Sequence, residues 1–189
     1  MKNNGRLFVI SGPSGVGKGT ICKQLVERNK NISVSVSATT RKPRTEDAEG
    51  VTYYFKTEAE FKQMIDDGKF LEWANYNGNY YGTPGDAVDE RLSKGLDIIL
   101  EIEAQGALNV MKKRPDAVSI FVVPPDTETL YQRLKNRGSE SPEEIEERLK
   151  AAKWELSQKE YYDYIVVNDC LDEAIAKIES IIKDEKENV

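Results

Sequence analysis

The stretch Gly12-Pro13-Ser14-Gly15-Val16-Gly17-Lys18-Gly19-Thr20 decides how the rest of this chain is read. It follows the apolar run Leu7-Phe8-Val9-Ile10 and opens a helical pattern from Gly17 to Asn29. The glycines let the backbone curl so that successive N–H groups point inward. The helix N-terminus adds partial positive charge there, and Lys18 can reach the outer phosphates of a nucleotide. Strand, loop, lysine and helix together read as a P-loop, with Gly12, Pro13, Ser14, Gly15, Val16, Gly17, Lys18, Gly19 and Thr20 as the cradle. Position 19 departs from the common form of the motif, in which a Ser or Thr after the lysine ligates magnesium. Gly19 stands there instead, with Thr20 one place on, so Thr20 or a water is expected to serve the metal.

Outward from the cradle, three more apolar runs read as buried strands: Ile98-Ile99-Leu100, Val118-Ser119-Ile120-Phe121-Val122-Val123 and Tyr164-Ile165-Val166-Val167. Continuous rather than alternating hydrophobicity predicts a parallel sheet covered on both faces. Helical stretches lie between the runs, at Pro84 to Lys94, Ala107 to Arg114 and Leu171 to Asp184, so the fold class is α/β: a P-loop-type parallel sheet flanked by helices. Two segments interrupt it. Residues 32–83 alternate short strand-like pieces (Val34–Ser37, Val51–Phe55, Phe70–Tyr76) with a helix near Glu58–Asp67, predicting a small, mostly antiparallel α+β insertion. Residues 126–160 are helical and charge-dense. At their midpoint Ser141 can cap a helix, Pro142 suits its first position and Glu144 completes a capping box. The predicted organisation is core 1–31, insertion 32–83, core 84–125, helical segment 126–160, and core with a final helix 161–189. Lys183 to Val189 is expected to be a frayed charged tail.

Composition narrows the chemistry. The 189 residues carry 27 basic and 33 acidic side chains, a net charge of −6, and no histidine. Without imidazole there is no serine triad, no histidine metal site and no histidine pH switch, so acid–base work falls to carboxylate, lysine, tyrosine or water. Cys22 and Cys170 are the only thiols, too few for a zinc cluster or a disulfide scaffold, which suits a reducing cytoplasm. The polar start Met1 to Arg6 and the short apolar runs predict neither a signal peptide nor a membrane span. An acidic chain is also a poor general binder of nucleic acid, so positive charge for phosphate must be concentrated locally.

Further motifs follow in order: Ser35-Val36-Ser37-Ala38-Thr39-Thr40-Arg41-Lys42-Pro43-Arg44, Phe70-Leu71-Glu72-Trp73-Ala74, Asn79-Tyr80-Tyr81-Gly82-Thr83, and Arg137-Gly138 with Arg148 eleven residues later. Together with the P-loop, this ordered set resembles the guanylate kinase family over nearly the whole chain, from about Arg6 to Ile182. The resemblance implies a P-loop core, a nucleoside monophosphate domain at the first insertion and a lid at the second. It implies ATP and GMP, with dGMP as a further acceptor, as substrates, and Mg²⁺ as cofactor. Carried over position by position, Arg41, Arg44, Tyr53 and Tyr81 would hold the GMP phosphate, and Ser37, Glu72 and Thr83 would face the base. Arg133, Arg137 and Arg148 would join Lys18 around the transferring phosphoryl group. Glu103 stands where the family usually has aspartate, at a strand end near magnesium water and the acceptor. Asn168, followed by Asp169, resembles the segment beside the adenine ring; a helix-capping role fits either residue equally.

Physical chemistry supports this pattern independently. Guanine presents two adjacent donors, N1–H and the 2-amino group, which suit a carboxylate, whereas adenine has an acceptor at N1. A buried carboxylate left unpaired discriminates by about 10⁴-fold. The chain has nine arginines, and five of them fall at these phosphate positions. Glu72 as an exposed strand carboxylate, Tyr53 and Tyr81 as half-buried sheet tyrosines, and the lid arginines as partners of Glu140, Glu143 and Glu147 are the plain structural alternatives. Two other functions remain open: another nucleoside monophosphate kinase such as adenylate kinase, or a kinase-like module that grips phosphorylated peptides in the nucleotide cleft.

Overall fold

Leu7–Ser11 (β1) is buried along its full length and forms the middle of a five-stranded parallel sheet in a computed structural model that describes residues 4–76, 78–135 and 142–187. The chain continues through α1 (Lys18–Arg28), β2 (Ile32–Val34), β3 (Ala38–Thr39), β4 (Tyr54–Phe55), α2 (Glu58–Asp66), β5 (Phe70–Tyr76) and β6 (Asn79–Pro84). Then follow α3 (Gly85–Ser93), β7 (Asp97–Glu101), α4 (Ala104–Lys113), β8 (Val118–Val123), α5 (Thr127–Lys135), α6 (Pro142–Ser157), β9 (Tyr164–Val167) and α7 (Leu171–Glu187). The large sheet has the order β2-β7-β1-β8-β9, all parallel, and a second sheet has the order β4-β3-β6-β5.

Alternate residues of β1 serve opposite faces, as the pleat requires. Phe8 and Ile10 pack with Ile21 and Leu25 of α1 and Ile175 and Ile178 of α7. Leu7 and Val9 pack with Val88 of α3 and Ala107 and Val110 of α4. The predicted parallel sheet with helices on both faces is therefore present. Burying each such aliphatic side chain contributes about 1.5–3 kcal/mol, which fixes β1 and with it the loop that follows.

Three expectations change. Ile32–Val34, grouped on sequence with the insertion, pairs in parallel with β7 as the edge strand of the core sheet, so the insertion begins after Val34. Only Ile32 of that strand is fully buried, so the long apolar run that marks a central strand is missing. Helix α4 starts at Ala104 rather than Ala107, which puts Gln105 and Gly106 on its first turn. The charged C-terminus is not frayed up to Glu187: Lys186 Nζ donates to the buried Asp97 carboxylate at 2.8 Å, and Glu185 pairs with Arg6 and accepts from the Tyr164 hydroxyl. The charge there is used in long-range pairs, which composition alone does not reveal.

The insertion sheet is mostly antiparallel, as predicted, with β3 and β5 flanking β6. Its helix α2 opens on a complete capping box, Thr57 with Glu60, and packs Phe61 against Phe70 and Tyr80. In the second interruption, α5 and α6 pack through Leu130, Leu134 and Ala152, and α6 begins at Pro142 as predicted. The turn between them, including Arg137, Gly138 and the Ser141 cap, lies outside the described residues.

Candidate functional site

Gly12 and Gly17 hold the cradle in shapes that other residues resist. Gly12 has φ 146°, and a Cβ there would lie 2.2 Å from Val122 O; Gly17 has φ 102°, and a Cβ there would lie 2.6 Å from Asn168 Nδ2. The loop thus lies tight against β8 and the β9–α7 connection. Lys18 Nζ donates to Gly12 O at 2.5 Å and to Pro13 O at 3.3 Å, so its ammonium sits over the loop. Asn168, buried, donates from Nδ2 to Val16 O at 2.8 Å and braces the loop from behind rather than capping α7.

Two of the three arginines singled out in the helical segment reach this loop. Arg133 Nη2 donates to Asn168 O at 2.9 Å and Nη1 to Val16 O at 3.4 Å, while Arg148 Nη1 donates to Ser14 Oγ at 3.2 Å. Arg137 lies outside the described residues. Thr20 is exposed on the first turn of α1, and a Cβ at its neighbour Gly19 would lie 3.3 Å from Glu101 Oε1 at the end of β7.

A cavity of about 600 Å³ opens beside the cradle, between β5, β6 and the start of α4, lined by Ser37, Glu72, Tyr81, Glu103, Gln105 and Gly106 among others. Glu72 and Thr83 sit opposite each other on β5 and β6, and Thr83 Oγ1 donates to Glu72 Oε1 at 2.7 Å. Burial pushes the Glu72 carboxyl above its usual range, while Thr83 and Lys113 pull it back. Glu72 Oε2 faces Gly106, where an added Cβ would lie 3.5 Å away. The exposed-strand alternative for Glu72 therefore does not hold.

Arg41 lies 5.2 Å from the ring centre of Tyr53 and 6.0 Å from that of Phe55, and Tyr53 meets Tyr81 edge-on at 6.0 Å. Its guanidinium pairs with Asp47 at 2.8 Å. Arg44 is exposed and joins the group through its backbone N–H, which donates to the same carboxylate.

The profile of the family described as "Guanylate kinase" matches residues 4–185. A guanylate kinase of Caldanaerobacter subterraneus subsp. tengcongensis is 52% identical over 186 residues, covering 98% of this chain and 90% of the relative. The chain belongs to the guanylate kinase family. A crystal structure of guanylate kinase from Anaplasma phagocytophilum superposes with a TM-score of 0.72 at 36% identity, covering 98% of this chain and 88% of that one. A shikimate kinase from Bacteroides thetaiotaomicron, 10% identical with a TM-score of 0.52 and covering 94% and 98% of the two chains, shares the fold alone.

Within this member of the family, sequence reasoning missed three carboxylates. Asp47 is one, and Glu101, beside Gly19 and Lys18, is another. Glu155, buried on α6, is the third; its carboxyl is pushed up to about 7 by burial and by Glu103, with Lys18 and the Ser14 backbone pulling the other way. Glu155 falls seven residues after Arg148, two helical turns along the same face, and that spacing was a readable signal. Among the described residues no cluster of three His, Cys, Asp or Glu could cage a metal, and no helix is long and apolar enough to cross a membrane.

Proposed function

We propose that this protein transfers the γ-phosphoryl group of ATP to the phosphate of GMP or dGMP, giving ADP and GDP or dGDP, with Mg²⁺ as cofactor. The observation that carries this reading is the half-buried Glu72 carboxylate, with Oε1 engaged by Thr83 and Oε2 directed to the cavity wall at Gly106. Guanine's N1–H and 2-amino group would donate to it, and an adenine in the same pose would leave it unpaired. Ser37 and Glu103 line the same cavity and would contact the base and its surroundings. Recognition through base edge and phosphate admits ribose and deoxyribose alike.

The P-loop backbone and Lys18 would hold the ATP phosphates, with Asn168 fixing the loop from behind and Arg133, Arg148 and Arg137 completing the positive wall. Arg41, Arg44, Tyr53 and Tyr81 would hold the acceptor phosphate at the other end. A phosphate oxygen of GMP attacks the γ-phosphorus while the bridging oxygen leaves with ADP. That nucleophile is already an anion, so no imidazole base is needed. The work is alignment and neutralisation of two charged groups. A magnesium ion that keeps waters and phosphate oxygens as ligands needs few protein donors, and the Thr20 hydroxyl with the Glu101 carboxylate offers hard oxygens of that kind. When bound, such an ion spreads the negative charge of the β- and γ-phosphates. The insertion and the α5–α6 segment, as GMP domain and lid, would exclude water during transfer. Two unpaired thiols, one buried and one exposed, suit the cytoplasm.

Incubating the protein with ATP and, separately, GMP, dGMP, AMP, CMP and UMP tests this directly. GMP and dGMP should be preferred by at least ~10³-fold in kcat/KM. Preference for AMP would overturn the role of Glu72, and loss of all turnover on chelating Mg²⁺ is the expected cofactor control.

A further inference from the structure

We propose that Asp47 is a positioning residue: it sets Arg41 and the 41–47 loop in the shape that receives the phosphate of a nucleoside monophosphate. This rests on the GMP reading of the same site. One oxygen, Asp47 Oδ2, accepts from both Arg41 Nη2 at 2.8 Å and the Arg44 backbone N–H at 2.7 Å, so a single atom ties the two arginines together. The Asp47 side chain is only 7% exposed although it sits in a loop. The Arg44 backbone N–H and the Arg41 guanidinium hold its carboxyl below the usual range, so it stays charged at any working pH.

Arg41 is thereby fixed on three sides. Asp47 holds one guanidinium edge, Lys42 O accepts from Nη1 at 3.0 Å, and the rings of Tyr53 and Phe55 lie near the guanidinium. A guanidinium has five N–H donors in a rigid fork. Two are engaged by Asp47 and Lys42, which leaves the remainder in a fixed direction. A phosphate arriving there meets an arginine whose rotamer entropy has already been lost in folding, so less is lost on binding. The opposite reading is that Asp47 occupies Arg41 and competes with the incoming anion. The two readings predict changes of opposite sign.

The experiment measures the affinity of wild type and Asp47→Asn for GMP and for guanosine by calorimetry, with steady-state KM for ATP alongside. Asp47→Asn should weaken GMP by ~10-fold or more while guanosine affinity and the KM for ATP change by less than ~2-fold. Asp47→Glu, which keeps the charge, should regain part of the lost GMP affinity. In an Arg41→Ala background the effect of Asp47→Asn should shrink at least ~3-fold, because the carboxylate acts largely through that arginine. Unchanged or tighter GMP binding in Asp47→Asn would overturn the proposal. So would a parallel loss of guanosine and GMP affinity, which marks a damaged insertion, or a full effect persisting without Arg41. A wild type that binds GMP no better than guanosine would overturn both this and the acceptor reading. A wild-type preference that survives Asp47→Asn would overturn this proposal alone.

Discussion

In the Gly12–Thr20 cradle the groups available to an anion are main-chain N–H groups and one lysine, whereas around Arg41 they are side chains held by other side chains. The cradle keeps its shape because β1 is buried along its length and because Gly12 lies too close to Val122 to admit a Cβ. The Arg41 group keeps its shape because Asp47, Tyr53 and Phe55 surround a guanidinium. A backbone-built site tolerates changes in most of its side chains, while a side-chain-built site fails when one partner goes. The proposed donor and acceptor ends should therefore be separable by mutation.

The largest effect should come from Lys18→Ala. Its ammonium is the one charged side chain that the cradle itself contributes, and its hydrogen bonds go to carbonyls of its own loop. Turnover should fall by ~10³-fold or more, because that charge counts most as the phosphoryl group moves. Affinity for GMP should change by less than ~3-fold and the melting temperature by only a few degrees. Equal losses at both ends would break the comparison.

Glu72→Gln tests the acceptor end alone. Preference for GMP over AMP should drop by ~10²-fold with ATP binding unchanged, since the amide keeps the shape but loses the charge and presents a donor to guanine's donors. Stability should move the other way. Burial raises the folded-state pKa of Glu72, so the native protein loses stability as pH rises from the unfolded value through the folded one. The glutamine variant escapes that cost and should melt at or above the wild-type temperature at pH 8. A variant that is both less selective and less stable would mean that Glu72 holds the β5–β6 pair together rather than reading a base.

The same contrast explains what could be read in advance. Contiguous signals were legible: the four apolar strands, the P-loop, Pro142 at a helix start, and the helix near Glu58–Asp67. They depend on periodicity and on residues adjacent in sequence. The edge strand Ile32–Val34 and the helical tail to Glu187 were not, because each is settled by a partner far along the chain: β7 in one case, Arg6 and Asp97 in the other. Glu72 could be named from its motif, but its pairing with Thr83 depends on a β5–β6 register that contains a bulge between Phe70 and Glu72. Asp47 was hidden for a related reason. An Asp in a polar run reads as solvated, and only the folded loop brings Arg41 and Arg44 to one oxygen.

Glu155 sharpens the comparison at the point where the two regions meet, and its effect should be the smallest. It comes from α6, its carboxyl is raised by Glu103 of the cavity beside Glu72, and it is influenced by Lys18 and the Ser14 backbone of the cradle. Its ordinary value is 4.5 and burial with Glu103 lifts it to about 7. Between those values the folded protein binds a proton that the unfolded chain has released. Stability contributed by this group is therefore present below pH 4.5 and is lost as pH rises through about 7. Denaturant unfolding at pH 5, 6, 7 and 8 should show a decline in wild type, and Glu155→Gln should make it shallower, leaving the part that Glu72 contributes, with the midpoint at pH 5 nearly unchanged. If the decline is just as steep in Glu155→Gln, the proton does not reside on Glu155, and the junction between the cradle and the Glu72 cavity is not where the charge is coupled.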